Sequence, residues 1–358
     1  MYRLLLLALT LPFFGVAEAG RATRTEANID IVAVDRAGHQ TNLTHDPGLD
    51  ISPAVARDGR IVFVSTRDQG IADLYVMDGD GGNVRRLTNG SADHSGVAAG
   101  EDLEFTQPSW SPRGDKIAFD GKYGTGGPSC EQYCVSWDVL VIGSDGSRLR
   151  QIALNARAPA WSRDSRRLAY ESGIDAYFEA GSVTVARLDG TGSVRLKARN
   201  YPSDVGPAWS PSRNELAFQA LATDGGPTAI YVVRGDGRGK RRLAAGHDPV
   251  WSPDGRRLAF IHDYRLLTSD GNGNGTQRLS GKGEFVVGAA WSPKGDTLAY
   301  VAGTTVGRYG GAPRNLRLEL VGADGKKVRV LAREPADMSV WGDPVWTPNG
   351  KRILIAVG

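Results

Sequence analysis

Along residues 28–358 apolar and polar positions alternate at period two in short runs, and tight-turn signals separate the runs. Such alternation predicts half-buried β-strands, because successive side chains of a strand point to opposite faces. Two hairpin types recur. One is Trp251-Ser-Pro-Asp-Gly-Arg-Arg-Leu-Ala-Phe260, in which Pro presets φ for the turn and Gly accepts positive φ. Copies begin at Trp110, Trp161, Trp209, Trp291 and Trp346, and a degenerate first copy, residues 55–63, lacks the Trp. The other type is Asp73-Leu-Tyr-Val-Met-Asp-Gly-Asp-Gly-Gly-Asn-Val-Arg-Arg-Leu-Thr88, with copies over residues 28–44, 138–152, 182–196, 229–243, 264–279 and 315–331. These turn on Asp-Gly or a near equivalent, the strongest short-range hairpin signal.

Seven Trp-type hairpins spaced about 40 to 55 residues apart are the signature of a blade-repeat architecture. A Trp-type hairpin and the Tyr-Val-type hairpin after it supply four antiparallel strands, which make one propeller blade. The last Trp-type hairpin, residues 344–357, has no partner after it, while the hairpin at residues 28–44 precedes the first. The count therefore predicts an all-β, seven-bladed β-propeller of four-stranded antiparallel blades, closed by pairing of the N- and C-terminal hairpins. Six blades is the runner-up, the uncertain copies being the first and the fifth. The propeller is expected to form a single domain over residues 28–358. Trp110, Trp161, Trp209, Trp251, Trp291 and Trp346 read as structural repeat anchors packed between blades, where Trp→Ala costs roughly 3–5 kcal/mol.

The N-terminus changes the expected location. Arg3, an apolar run over residues 4–16 and the small-residue site Ala17-Glu18-Ala19 read as a signal peptide over residues 1–19, followed by a polar lead over residues 20–27. The apolar run is too short to span a bilayer, and no later stretch is apolar enough. The expectation is a periplasmic or secreted protein with no membrane span in the mature chain. A net charge of +3, with Lys and Arg scattered along the chain, sets nucleic acid aside as a partner. Pairs such as Arg256-Arg257 and Lys351-Arg352 read as a solvated strand edge. Cys130 and Cys134 fall in one Gly-rich insertion and are expected to form a local disulfide, contributing roughly 2 kcal/mol for so small a ring. Without neighbouring His or further Cys they make a poor zinc site, and no metal is expected.

Nearly all length variation lies in the connections between hairpins, which in a four-stranded blade emerge on one face. Variable loops on a rigid scaffold are where binding usually resides. The ligand-binding or partner-binding candidates on that face are His45, Asp50, His94, Tyr123, Tyr177, His247, Asp248 and Asp343, together with Trp137 and Trp341, which fall outside the repeat. Residues 78–83 resemble the start of a calcium loop but lack its distal Glu, so a plain turn is expected. There is no Gly-x-Ser-x-Gly elbow, His-Glu-x-x-His, phosphate loop or dinucleotide fingerprint, so no catalytic residue is assigned and no cofactor is expected.

The two hairpin units resemble the repeat of the TolB-type β-propellers over residues 28–358. The resemblance implies an exported protein-interaction scaffold of the cell envelope. Two departures are expected: a seventh blade, and repeats that begin within ten residues of the cleavage site, leaving no counterpart of the N-terminal α/β domain of TolB. The first functional expectation is a non-catalytic, monomeric binding module that holds a protein or peptide of the envelope on the long-loop face. The alternative is a propeller enzyme, such as a polysaccharide or lactone lyase, with His, Tyr and Arg at the channel mouth. Convergence of His45, His94, His247 and His262 with Asp or Tyr would discriminate the two.

Overall fold

The two ends of the chain meet in one sheet. Strand β1 (Asp30–Asp35) pairs antiparallel with β28 (Arg352–Val357), with Asp30 opposite Val357 and Asp35 opposite Arg352. On either side lie β2 (Gln40–Asn42) and β27 (Val340–Trp346), so each end of the chain supplies two strands of this blade. The computed structural model describes residues 28–68, 72–89, 107–123, 136–173, 181–198, 203–222, 228–304, 314–333 and 340–358. Among them 28 strands form seven four-stranded antiparallel sheets, without a helix. This is a seven-bladed β-propeller, and both doubtful copies are full blades.

The innermost strands are β3 (Asp50–Val55), β7 (Ser109–Trp110), β11 (Ala156–Trp161), β15 (Ser203–Trp209), β19 (His247–Trp251), β23 (Phe285–Trp291) and β27. In this topology every hairpin turn falls on one face, and every connection between hairpins falls on the other. The first is called here the turn face, and the second the loop face.

Burial is concentrated where blades meet. The second strand of a blade carries a fully buried aromatic at the same repeat position, Phe63, Phe119, Phe218, Phe260 and Tyr300, each at most 2% exposed. One cluster joins Val62, Val64 and Leu74 of one blade to Ile117, Phe119 and Leu140 of the next. The ring is thus held by hydrophobic burial between neighbours, as expected when no single sheet can bury both faces alone.

The Trp side chains sit in the same seams. Indole N–H groups donate to a carbonyl of the preceding blade: Trp110 to Ala54, Trp161 to Ser109, Trp251 to Ala208, Trp291 to Val250 and Trp346 to Ala290, at 3.0–3.1 Å. The Trp209 indole nitrogen has no partner among the described residues. Guanidinium groups stack on these rings, with Arg257 4.7 Å from the Trp291 centroid and Arg167 5.0 Å from that of Trp209. Here the structure differs from the solvated-edge expectation. Arg257 also donates to Ala323 O and Gly295 O of the next blade, and Arg352 to Gly79 O. A planar guanidinium can stack and donate at once, which makes these arginines seam elements.

Candidate functional site

Six of the innermost strands are interrupted by a β-bulge near the loop face. A Pro two residues before the Trp position, as in Pro53, Pro159, Pro207, Pro249 and Pro344, marks five of them. Proline cannot donate to a ladder and is confined to edges and bulges. The residue before it takes a left-handed conformation at Ser52, Ala158, Gly206 and Asp248, with φ of 52°, 51°, 61° and 50°. Three of these are not glycine, so strain is stored around the channel mouth.

A bulge leaves a backbone N–H outside the ladder, and it must find an acceptor. The preceding blade supplies one. Glu171, on β12 (Arg167–Ser172), accepts the Gly206 N–H through Oε1 at 2.8 Å, and Gln219, on β16 (Glu215–Leu221), accepts the Asp248 N–H at 3.0 Å. One blade earlier Asp120, on β8 (Lys116–Tyr123), holds the same position but accepts an N–H of its own blade, that of Gln107 just ahead of β7, at 3.3 Å. In the remaining blades this second-strand position is apolar, as in Val64, Ile261 and Ala356. Three consecutive blades therefore carry a polar arc around one side of the channel mouth.

The arc is electrostatically tight. Glu171 Oε2 takes the Arg157 Nε–H at 2.7 Å, with side chains only 6% and 12% exposed. Burial pushes the Asp120 carboxyl up to about 7, against the Gln107 N–H and Arg157, which favour its charged form. Asp343 enters from the opposite side of the ring. It is solvent-exposed yet hemmed in by the channel walls, and that desolvation, followed by the nearby Asp248 charge, pushes it up to about 7. Its carboxylate lies over Gly288 of the adjacent innermost strand, where an added Cβ would collide with Asp343 Oδ1. Asp204, fully buried, accepts the Ala198 N–H at 2.8 Å, and burial raises it to about 6.

The candidates read from the sequence are placed unevenly. His247 and Asp248 stand together at the start of β19, with Nδ1 and Oδ2 2.8 Å apart, and Asp343 is their neighbour in charge. Asp50 is fully buried, and both its oxygens take the Arg67 guanidinium at 3.1 Å. His45 is exposed in the connection before β3. Tyr123 ends β8, Trp137 lies on β9 (Ser136–Gly143) and Trp341 on β27. His94, Tyr177, Cys130 and Cys134 lie outside the described residues. No hydrogen bond among the described residues joins His45, His247 and His262, and no group of three or more His, Cys, Asp or Glu is placed there to hold a metal. The arc of Asp120, Glu171 and Gln219 was not singled out in the sequence. Its signal is a polar residue directly after the repeat's aromatic, where the other blades have an apolar one.

The seven-bladed ring and its channel mouth define a protein class that hosts both binding scaffolds and enzymes. Residues 127–357 match the family described as TolB beta propeller domain, and the chain belongs to that family. Among solved structures it is similar to a putative TolB from Agrobacterium tumefaciens, at 18% identity and TM-score 0.54 over 92% of this chain and 97% of that one. It is also similar to an oligogalacturonate lyase in complex with manganese, at 13% identity and TM-score 0.62 over 92% and 96%. The β-propeller domain of the Trilobed protease from Pyrococcus furiosus is similar at 15% identity and TM-score 0.58 over 86% and 95%. Identities this low show a shared fold alone.

Proposed function

We propose that this chain is an exported, periplasmic or secreted binding module that holds a protein or peptide ligand at the channel mouth on its loop face, without catalysis. The observation that carries the reading is the arc of Asp120, Glu171 and Gln219, whose acceptors are already engaged by Gln107, Gly206 and Asp248 N–H groups. Such groups are tied into rigid architecture, as suits a preorganised binding rim. The signal-like residues 1–19 support export, and the Cys130–Cys134 pair is proposed as a disulfide shaping a rim loop. The test is capture from an envelope extract by the mature chain, beside a variant with residues 124–135 replaced by a Gly-Ser turn. A specific protein retained by the first and lost with the second supports the reading. Retention of none by the mature chain would remove it.

One observation favours a lyase as the second reading. Asp343, pushed up to about 7 and open to the channel beside Asp248, is a carboxyl poised to exchange a proton near neutral pH. Incubation with acidic polysaccharides, monitored for absorbance of an unsaturated product, tests it. Product formed by the parent chain and abolished in Asp343→Asn would favour the enzyme.

A further inference from the structure

The scattered cations of the sequence are gathered by the fold. Each of the seven turns between an innermost strand and its neighbour presents an exposed cation on the turn face: Arg57, Arg113, Arg163, Arg213, Arg256, Lys294 and Lys351. They do not share one column of the repeat. Arg57 and Arg163 stand second in their turns, Arg113 and Lys294 third, Arg256 and Lys351 fifth, which hides the ring from a reading of the sequence.

The turns that carry these cations share one backbone geometry. Six close with the same backbone hydrogen bond, from Gly59, Gly114, Ser165, Gly255, Gly295 and Gly350 N–H to the carbonyl three residues back, at 2.7–3.0 Å. The acids in the turns are engaged locally. Asp164, Asp254 and Asp296 accept the hydroxyls of Ser162, Ser252 and Ser292 at 2.6–2.8 Å, and Asp58 takes the Arg60 Nε–H at 2.9 Å. Among the described residues Arg57, Arg113, Arg256, Lys294 and Lys351 make no ion pair. Between Lys294 and Lys351 the face opens into a groove of about 800 Å³, whose other charged lining residues are Arg36, Arg352, Asp35 and Asp296, so cations outnumber acids there by four to two. Val84 and Val328, 40% and 49% exposed, project from outer turns of the same face.

The geometry points to the turn face as a docking surface for an anionic phospholipid leaflet. A ring of seven exposed cations, of which only Arg213 is ion-paired among the described residues, matches a planar array of phosphates, and each Lys or Arg near such a surface adds to the attraction. The groove between Lys294 and Lys351 is large enough to seat a headgroup. Binding single-stranded nucleic acid would call for exposed aromatics on which bases stack. The exposed large aromatic among the described residues, Tyr264, lies on the loop face instead. The surface is separate from the channel mouth and does not depend on what binds there.

Sedimentation of the mature chain with phosphatidylglycerol vesicles tests the inference, against phosphatidylcholine vesicles and over a range of NaCl. Two charge-matched triple variants separate the face from net charge. One carries Arg256→Gln, Lys294→Gln and Lys351→Gln on the ring; the other carries Arg265→Gln, Lys282→Gln and Arg314→Gln, exposed residues of the loop face. The expected result is salt-sensitive binding to phosphatidylglycerol, lowered at least about tenfold in the ring variant and little changed in the other. Equal loss in both variants would overturn it, as would capture by soluble polyglutamate or heparin without vesicle binding. Since all six positions are exposed, unchanged melting curves are expected to show that both variants fold.

Discussion

Glu171 and Gly206 lie 35 residues apart on neighbouring blades, and the Glu171 carboxylate accepts the Gly206 N–H at 2.8 Å. The same side chain holds Arg157 at 2.7 Å, so it links two blades and neutralises a nearly buried cation. Removing one partner of a buried ion pair costs about 3–5 kcal/mol. Glu171→Ala should lose about that much in denaturant unfolding. Glu171→Gln keeps an acceptor for Gly206 and should lose less than half of it.

Gly288 makes room for Asp343. A Cβ there would collide with the carboxylate, so Gly288→Ala should turn Asp343 out of its position and cost about 1–3 kcal/mol by overpacking. Under the proposed function, the same variant should lose ligand capture while keeping its far-ultraviolet circular dichroism. Full capture by a folded Gly288→Ala protein would show that Asp343 takes no part in binding.

The pH dependence follows from Asp120. Its folded value, about 7, lies above the ordinary 3.8, so the folded chain binds more protons than the unfolded one between those values. Stability is then full below about pH 4 and falls as pH rises through 7, by on the order of 4 kcal/mol at the upper limit. Asp35 acts in the opposite sense, because hydrogen bonds from His39 hold it at about 2, and it is silent above pH 5. Asp120→Asn mimics the protonated form. It should match the parent chain below about pH 4, exceed it increasingly as pH rises, and exceed it most at pH 8 in urea titrations; a parallel decline in both proteins would count against Asp120 as the source.

The indole contacts differ in one blade. Trp291 donates to Val250 O at 3.1 Å, whereas the Trp209 nitrogen has no partner among the described residues. Trp291→Phe should cost about 1–3 kcal/mol, because it takes the indole donor from the part-buried Val250 carbonyl. Trp209→Phe removes a donor that is already unpaired, and should stay within about 1 kcal/mol of the parent chain. Thermal unfolding of the pair distinguishes the two.

Much of the architecture was legible in the residue pattern. Strand alternation, Asp-Gly turns and the Trp-Ser-Pro units are short-range signals, and a hairpin needs little more than its own turn and its own alternation to find its register. Counting the hairpins was enough for seven blades and for the pairing of β1 with β28, because an unpaired half at each end leaves one place for both. His247, Asp248 and Asp343 were legible as a group only in that they share a face. Glu171 and Gln219 were not, since a polar residue after an aromatic has no meaning until the bulge of the next blade is seen to need an acceptor. Arg257 and Arg352 read as solvated because nothing nearby in sequence shows the ring or carbonyl that the next blade brings against them.

Repeat, blade count and closure were determined by the sequence alone, because each depends on contacts within one hairpin or on arithmetic over identical units. Only the tertiary structure decided which side chains meet across a seam, which carboxyls are desolvated and which face gathers the cations. Those properties depend on the curvature that brings one blade against the next, and hydrophobic burial between the sheets, with no single motif responsible, sets that curvature.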